Sequence, residues 1–167
     1  MFDLWIQLVI LALISMLPFG EGRLAIILGV LSTNIDIFGY EIGGFGLSPI
    51  FVFFYTLFFN IIGIIIGYFF FKYIIDYFLH IKWIEKLHDY YVEKKLKKVK
   101  PYIDKFGFMG LMLFVGIPLP GSGVWTSALI ANVLEVDFKK YFYPCFLGII
   151  VALFITVILT VKTLSFF

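Results

Sequence analysis

Four long apolar stretches, separated by polar or basic segments, dominate the chain. Two of them, residues 50–73 and 141–164, are uninterrupted and long enough to cross a bilayer core of about 30 Å as one helix each. The other two, residues 2–31 and 106–134, are too long for one upright crossing, because about 30 helical residues extend about 45 Å. The pattern predicts two transmembrane helices and two apolar stretches with a different path.

Each over-long stretch is interrupted near its middle by proline and glycine. The interruptions are PFGEG at residues 18–22 and PLPGSG at residues 118–123. Proline removes a main-chain donor and clashes with the preceding turn, while glycine permits the sharp reversal that follows. We therefore expect two half-helices in each stretch, forming re-entrant hairpins over residues 2–31 and 106–134.

The distribution of charge predicts the orientation. Nine lysines lie between residues 72 and 105, and lysine-rich segments next to membrane spans stay in the cytoplasm. The linker 74–105 is therefore predicted to be cytoplasmic. Its apolar stripe suggests an amphipathic helix that either connects two halves or lies on anionic lipid headgroups. The loop 32–49 has acidic but no basic residues, so we place it on the extracytoplasmic side.

An internal repeat accompanies this topology. A shift of 101 positions lays Gly20, Glu21 and Gly22 over Gly121, Ser122 and Gly123, and each broken stretch precedes one full span. The charges give repeat 1 (residues 2–73) and repeat 2 (residues 106–164) opposite orientations. The predicted fold class is an all-α integral membrane protein with an inverted-topology repeat, in a single membrane domain over residues 1–167. Broken segments at matching positions of two halves indicate a transport site near the midplane.

Composition excludes several other classes of protein. Hydrophobic residues make up 62% of the 167 residues and charged ones 14%, against about 25% charged in a soluble domain. The single cysteine, Cys145, can form no intramolecular disulfide and has no companions for a metal site. No nucleophile–base pair or basic face interleaved with aromatic residues is evident. We therefore expect neither an enzyme nor a nucleic-acid-binding protein, and no metal.

The first break carries the charges with the strongest claim to function. Ionisable groups deep in a bilayer cost about 2.5–3.5 kcal/mol each on insertion scales and are functional by default. Arg23 is the only arginine of the chain, and a guanidinium binds a phosphate or carboxylate with two parallel hydrogen bonds. Glu21 could pair with Arg23 in the empty site and exchange a proton when substrate binds. The alternative is a structural pair in which Glu21 caps the helix and Arg23 satisfies it.

Polar residues elsewhere could complete such a site. Ser122, Trp125 and Thr126 offer donors to a headgroup but suit close helix packing equally well. Asn60, in the middle of the first full span, either faces the same cavity or bonds a neighbouring helix. The candidate site comprises Gly20, Glu21, Gly22, Arg23, Asn60, Pro118, Pro120, Gly121, Ser122, Gly123, Trp125 and Thr126.

Two runs also resemble a known family. EGRLAI at residues 21–26 and VGIPLPGSGVW at residues 115–125 are similar to the prokaryotic putative small multidrug export proteins. In plan this family resembles the DedA group and, more distantly, the VTT-domain (SNARE-associated) lipid scramblases. The resemblance implies two opposed re-entrant hairpins in the plasma membrane of a prokaryote. It also implies transport of lipid carriers such as undecaprenyl phosphate, driven by a proton or sodium gradient. Glu21 and Arg23 match by position the acidic and arginine residues of those relatives.

The leading hypothesis is a transporter or flippase. It would move an anionic lipid headgroup, a polyprenyl phosphate or a phospholipid, through a midplane site between the hairpins, with a proton or sodium ion as the only cofactor. The alternative is a cation-coupled exporter of small hydrophobic drugs, and a third possibility is a scaffold that acts through its basic linker. Two full spans hardly enclose a cavity, so we expect membrane lipids and a second copy of the chain as partners, most simply in a homodimer.

Overall fold

The computed structural model describes residues 3–17, 21–31, 34–37, 40–79, 97–117 and 123–164. Within these ranges the chain is almost entirely helical. The helices are α1 (Leu4–Met16), α2 (Glu21–Val30), α3 (Pro49–Leu79), α4 (Lys97–Gly116), α5 (Val124–Val133) and α6 (Phe138–Leu164).

A short antiparallel hairpin is an addition to the predicted all-α fold. Its strands are β1 (Asn34–Ile37) and β2 (Tyr40–Gly43), with Ile35 opposite Ile42 and Ile37 opposite Tyr40. Isoleucine and tyrosine favour strands, and here they alternate with polar residues at the spacing of a strand. The hairpin lies within the loop predicted over residues 32–49 and is the part of the described chain that departs from an all-α fold.

The two predicted spans are confirmed as long apolar helices. The segments of sufficient length and hydropathy are Pro49–Ile74 and Phe138–Leu164, within a few residues of the predicted bounds. Large apolar side chains remain exposed along both helices, including Phe58 on α3 and Phe154 on α6. A hydrocarbon solvent tolerates such surfaces, whereas a soluble monomer rarely exposes them in contiguous patches.

Both over-long stretches consist of two helices, and each break falls at the predicted proline and glycine cluster. Helix α1 ends at Met16 and α2 begins at Glu21, while α4 ends at Gly116 and α5 begins at Val124. Residues 18–20 and 118–122, between these ends, lie outside the described residues. The boundary predicted between linker and second hairpin, at residue 106, falls inside α4. The basic residues from 97 to 105 are therefore continuous with the first half of the second apolar stretch.

The helices pack so that each short second helix contacts a long one. Helix α2 packs against α3 and α6, α5 packs against α3, and α4 packs along α6. The α4–α6 crossing is close at Gly148. A Cβ added there would lie 2.7 Å from the carbonyl oxygen of Met112 and 3.0 Å from the Cβ of Val115. Glycine at such crossings lets helix backbones approach each other in membrane proteins. The C-terminal end of α4 is thereby fixed against the second span.

A Schellman turn fixes the end of α5. The amide of Val136 donates to the carbonyl of Ala131 at 2.8 Å, and the amide of Glu135 donates to Asn132 at 3.1 Å. This pair of bonds satisfies carbonyls left free at a helix end and requires a left-handed residue. Here that residue is Glu135, with φ of 51°. The hydroxyl of Tyr68 then donates to the carbonyl of Val136 at 2.9 Å and ties the turn to α3.

Candidate substrate site at the helix breaks

Arg23 joins the two broken stretches. It lies in the first turn of α2, and its Nη2 donates to the carbonyl oxygens of Val115 at 2.8 Å and of Ile117 at 3.4 Å. These carbonyls are at the C-terminal end of α4, where the last four carbonyls have no intrahelical donor and the helix dipole favours a cation. The start of α2 is therefore attached to the end of α4.

Trp125 makes the corresponding contact with the two halves exchanged. It is the second residue of α5, and its Nε1 donates at 3.0 Å to the carbonyl oxygen of Met16, the last residue of α1. Met16 and Ile117 are 101 positions apart, which is the shift of the predicted repeat. Each second helix thus caps the first helix of the other stretch.

The first turn of α2 also meets α3 at Asn60. A Cβ added to Gly22 would overlap the Asn60 amide and would lie 2.8 Å from Cδ2 of Leu153. Asn60 is 2% exposed, and its Nδ2 donates to the carbonyl of Thr56 at 2.8 Å. A Cβ at position 22 would therefore force the ends of the Asn60 and Leu153 side chains to move, so glycine lets α2 lie close to both α3 and α6.

The first turns of α5 meet α3 at Gly67. A Cβ added to Gly67 would lie 3.7 Å from the Cβ of Ala128 and 3.8 Å from Cδ2 of Trp125, which is ordinary contact. Seven residues separate this position from Asn60, a rise of about 10 Å along α3. The starts of α2 and α5 therefore contact the same helix about two turns apart.

Gly63 lies on α3 between these two contacts. This glycine is buried, yet a Cβ added to it would meet no atom of the described residues within 4 Å, so this part of the structure leaves space beside it. Gly63 is near the middle of the Pro49–Ile74 span. Three parts of the structure meet here: the first turns of α2 and α5, the ends of α1 and α4 that they cap, and the α3 segment from Asn60 to Gly67. We call this region the junction. The positive ends of two helix dipoles lie at this junction, an arrangement that favours an anion.

Several residues of the predicted site meet within the part of the chain that the structure describes. Gly22, Arg23, Asn60 and Trp125 belong to the junction. Buried Gly123 is the N-cap of α5, and half-buried Thr126 follows Trp125 in the first turn. Glu21 begins α2, but its side chain lies outside the described residues, so the predicted Glu21–Arg23 pair is not tested. The same holds for Gly20, Pro118, Pro120, Gly121 and Ser122.

Sequence reasoning missed three contributors to this region. Gly63 and Gly67 lie on the same face of α3 as Asn60. The sequence signal that could have identified them is the presence of small residues in a helix otherwise rich in phenylalanine and isoleucine. Tyr141 is fully buried on α6, and its hydroxyl donates to the carbonyl of Val124 at 3.1 Å, which holds the start of α5. A tyrosine among many aromatic residues gave no such signal.

A family model described as "Putative small multi-drug export protein" matches residues 21–155. The chain belongs to this family. No curated protein and no solved structure matches it. The match begins at the first residue of α2 and ends inside α6, so the export-family region contains Arg23, Asn60, Gly63 and Trp125. The long apolar helices and the family together identify a helical membrane protein.

Proposed function

We propose that the protein is a membrane transporter and that its substrate passes through the space beside Gly63. The observation that carries this proposal is the junction itself, where the starts of two short helices flank buried Gly63 near mid-span, and no atom of the described residues lies within 4 Å of a Cβ added there. Broken helices at corresponding positions of two halves form the substrate sites of many secondary transporters. Non-helical backbone at membrane depth is tolerated where it lines a cavity or is buried in protein. No catalytic step is part of the proposal.

The proposed substrate is an anionic lipid headgroup, that of a polyprenyl phosphate or a phospholipid. Arg23 and the two helix N-termini supply positive potential at the junction. A phosphate oxygen is a stronger acceptor for a guanidinium than a neutral carbonyl is. An arriving phosphate can therefore take the Nη2 donor from Val115 and Ile117, which frees the end of α4 to move.

That exchange of partners suggests how binding would drive transport. In the proposed inverted repeat, two re-entrant hairpins face opposite sides of a prokaryotic plasma membrane, with residues 74–105 cytoplasmic and 32–49 outside. Release of α4 from Arg23 would open one side while the Trp125–Met16 bond keeps the other closed. A proton or sodium ion would couple the cycle to the gradient, and Glu21 is the proposed proton carrier. The likeness to DedA and VTT-domain proteins stays a prediction.

Transport of a labelled polyprenyl phosphate across liposomes tests this proposal. Wild-type protein should accelerate transbilayer movement, and Arg23→Gln should slow it by about tenfold or more, because a hydrogen bond to a charged group contributes about 1.5–3 kcal/mol. Arg23→Lys should transport at an intermediate rate, because lysine keeps the positive charge but lacks the planar group that forms two parallel hydrogen bonds. Exposed Lys139 supplies the control Lys139→Gln. Equal rates in Arg23→Gln and wild type would refute the proposed role of the guanidinium.

The family description favours a second candidate, export of small hydrophobic drugs. A cationic drug would need an acid, and Glu21 is the candidate on α2. This function predicts proton release when a lipophilic cation is added to the purified protein, and loss of that signal in Glu21→Gln. Wild-type protein that binds the cation without releasing protons would exclude it. Insensitivity of every activity to both substitutions would instead favour a scaffold acting through the linker lysines.

A homodimer surrounded by membrane lipids is the proposed assembly. The described part of the chain has two helices long enough to span the membrane, and a second copy would enlarge the protein wall around the junction. Native mass measurement in mild detergent should therefore give twice the chain mass. A monomer that transports in liposomes at one copy per vesicle would contradict the dimer and leave the proposed junction intact.

A further inference from the structure

Helices α4 and α6 contact each other through their backbones. A Cβ added to Gly148 would lie 2.7 Å from the carbonyl oxygen of Met112, and a Cβ added to Gly116 would lie 3.5 Å from the carbonyl oxygen of Gly148. Helices in such contact cannot slide past each other without main-chain overlap, because packed interiors have little free space. We therefore expect these two helices to keep their relative position, and we call them the α4–α6 pair.

Helix α5 is attached to α3 and α1, although it follows α4 in the chain. Nδ2 of Asn132 donates to the carbonyl of Tyr68 at 3.0 Å, and the hydroxyl of Tyr68 donates to the carbonyl of Val136 at 2.9 Å. At the other end of α5, Trp125 donates to the carbonyl of Met16 on α1. Both ends of α5 are thereby bonded to helices of the first half of the chain.

Hydrogen bonds also join the first three helices to one another. The hydroxyl of Tyr55 on α3 donates to the carbonyl of Leu8 on α1 at 2.9 Å. The amide of Leu47, in the segment that leads into α3, donates to the carbonyl of Gly29 near the end of α2 at 2.8 Å. We call the helices α1, α2, α3 and α5, which these bonds connect, the four-helix group.

Within the described residues, side chains make the hydrogen bonds between the four-helix group and the α4–α6 pair. At the start of α6, the hydroxyl of Tyr141 donates to the carbonyl of Val124 at 3.1 Å, and its ring stacks on that of Tyr68 with centroids 5.2 Å apart. At the end of α4, Arg23 donates to the last carbonyls of that helix. Packed side chains permit small sliding motions between helices, which a backbone contact does not.

We propose that the α4–α6 pair moves as one unit against the four-helix group, about a pivot at the start of α6, and that Arg23 holds it in the position seen here. The pivot follows from the bonds that Tyr68 and Tyr141 make on either side of Phe138, the first residue of α6. Gly148 lies about 15 Å farther along α6. A rotation of about 10° would therefore shift the end of α4 by about 2–3 Å, enough to break the hydrogen bonds of Arg23.

This division of the helices differs from that of the predicted repeats. The repeats assign α5 to the second half, whereas its hydrogen bonds keep it with the first. The inference rests on the proposed function for the role of the movement in transport. The movement itself is measurable without substrate, so the two can fail separately.

Distances between spin labels test which helices move together. Double electron–electron resonance gives these distances for pairs of introduced cysteines in the full chain, in nanodiscs and in a Cys145→Ala background. The labelled positions are exposed: Phe58 on α3, Met109 on α4, Val133 on α5 and Phe154 on α6. Labels at 58 and 133 lie within the four-helix group, labels at 109 and 154 lie within the pair, and labels at 58 and 154 report on the movement between them.

Arg23→Ala supplies the perturbation, because it removes both hydrogen bonds to the end of α4. We expect the distance between labels at 58 and 154 to shift by more than about 2 Å, while the other two distances stay within about 1 Å. Lys139→Ala, at an exposed lysine in the first turn of α6, is the control and should shift none of the three.

Two engineered disulfides keep the test valid if Arg23→Ala does not fold. Ser127→Cys places a second sulfur beside Cys145, because Oγ of Ser127 is 3.5 Å from that Sγ, and it would link α5 to α6. Gly67→Cys with Ala128→Cys, in the Cys145→Ala background, would link α3 to α5, since the Cβ atoms at these positions would be 3.7 Å apart. Oxidation should abolish transport of polyprenyl phosphate by the first protein, and reduction should restore it. The second should transport at the same rate oxidised and reduced.

Three results would overturn the inference. An equal shift of the distances from label 58 to labels 133 and 154 would show that α5 moves with α6, as the repeats would have it. Unchanged distances in folded Arg23→Ala would show that the guanidinium does not hold the pair. Loss of transport on oxidation of the α3–α5 disulfide would show that these helices move apart. A protein whose labels shift as expected but that transports nothing would refute the proposed function and support this inference.

Discussion

The indole Nε1 of Trp125 donates to the carbonyl oxygen of Met16 at 3.0 Å, across 109 residues of chain. Arg23 performs the same task in the other direction, through Nη2 and the carbonyls of Val115 and Ile117. The two caps differ in chemistry, since one donor is neutral and the other is charged. An anion can compete for the charged cap, whereas the indole has little affinity for a phosphate by comparison. The two ends of the junction are therefore unequal in their response to substrate.

Trp125→Phe should destabilise the protein without disturbing the aromatic packing. Phenylalanine can keep the edge contacts with Phe70 and Phe71, at ring separations of 5.7 and 6.2 Å, but it cannot donate to Met16. A carbonyl that loses its partner away from water costs about 1–3 kcal/mol. Reversible unfolding in mixed detergent micelles should show this loss. Trp5→Phe, at an 80% exposed tryptophan of α1, is the control and should leave the free energy of unfolding unchanged.

Alanine should have opposite effects at two glycines of the junction. Gly22→Ala collides with Asn60 and Leu153, so overpacking should lower the free energy of unfolding by about 1–3 kcal/mol. The Cβ of Gly63→Ala meets no atom of the described residues within 4 Å, so this variant gains up to about 1 kcal/mol of helix propensity.

The transport rate of Gly63→Ala distinguishes a packing role of the space beside Gly63 from a role in the passage of substrate. If the space beside Gly63 admits substrate, this variant should be as stable as wild type or more so and should still transport more slowly. Unfolding titrations and liposome transport on the same preparations measure both properties. A stable variant with the wild-type rate would show that the space is not on the transport path.

The sequence was sufficient to predict the main elements but not the contacts of the junction. Proline and glycine at residues 18–22 and 118–123 have local effects, so the helix ends at Met16 and Gly116 followed from residue type. Arg23 was identified by its rarity, but the carbonyl oxygens of Val115 and Ile117 that accept from its Nη2 belong to the main chain, which carries no residue-specific signal. Helical periodicity likewise cannot distinguish a glycine in close contact, such as Gly22, from one beside open space, such as Gly63.

Gly148→Ala should displace the end of α4 that Arg23 caps. Its Cβ would lie 2.7 Å from the carbonyl oxygen of Met112, a backbone atom that cannot move without the helix. We expect a loss of about 1–3 kcal/mol in the free energy of unfolding, together with slower transport. Gly110→Ala, at an exposed glycine of α4 itself, is the matched control, because no described atom lies within 4 Å of the added carbon. Equal stability of the two variants would contradict a tight α4–α6 crossing.

Glu135→Gly should stabilise the protein. Glu135 holds φ at 51° in the turn after α5, and a left-handed conformation costs a residue with a Cβ about 1–2 kcal/mol. Glycine removes that cost but loses about 0.5–1 kcal/mol of chain entropy on folding, so the net gain should be about 0.5–1 kcal/mol. The hydrogen bonds from the amide of Glu135 to the carbonyl of Asn132 and from the amide of Val136 to the carbonyl of Ala131 do not depend on the side chain and should persist.

Glu135→Gln separates the effect of backbone conformation from that of charge, since it removes the carboxylate and keeps the Cβ. Unfolding titrations of the three proteins should give Glu135→Gly a higher free energy of unfolding than wild type, and Glu135→Gln the same value as wild type. A gain in both variants would mean that the exposed negative charge, and not the left-handed backbone, destabilises the turn.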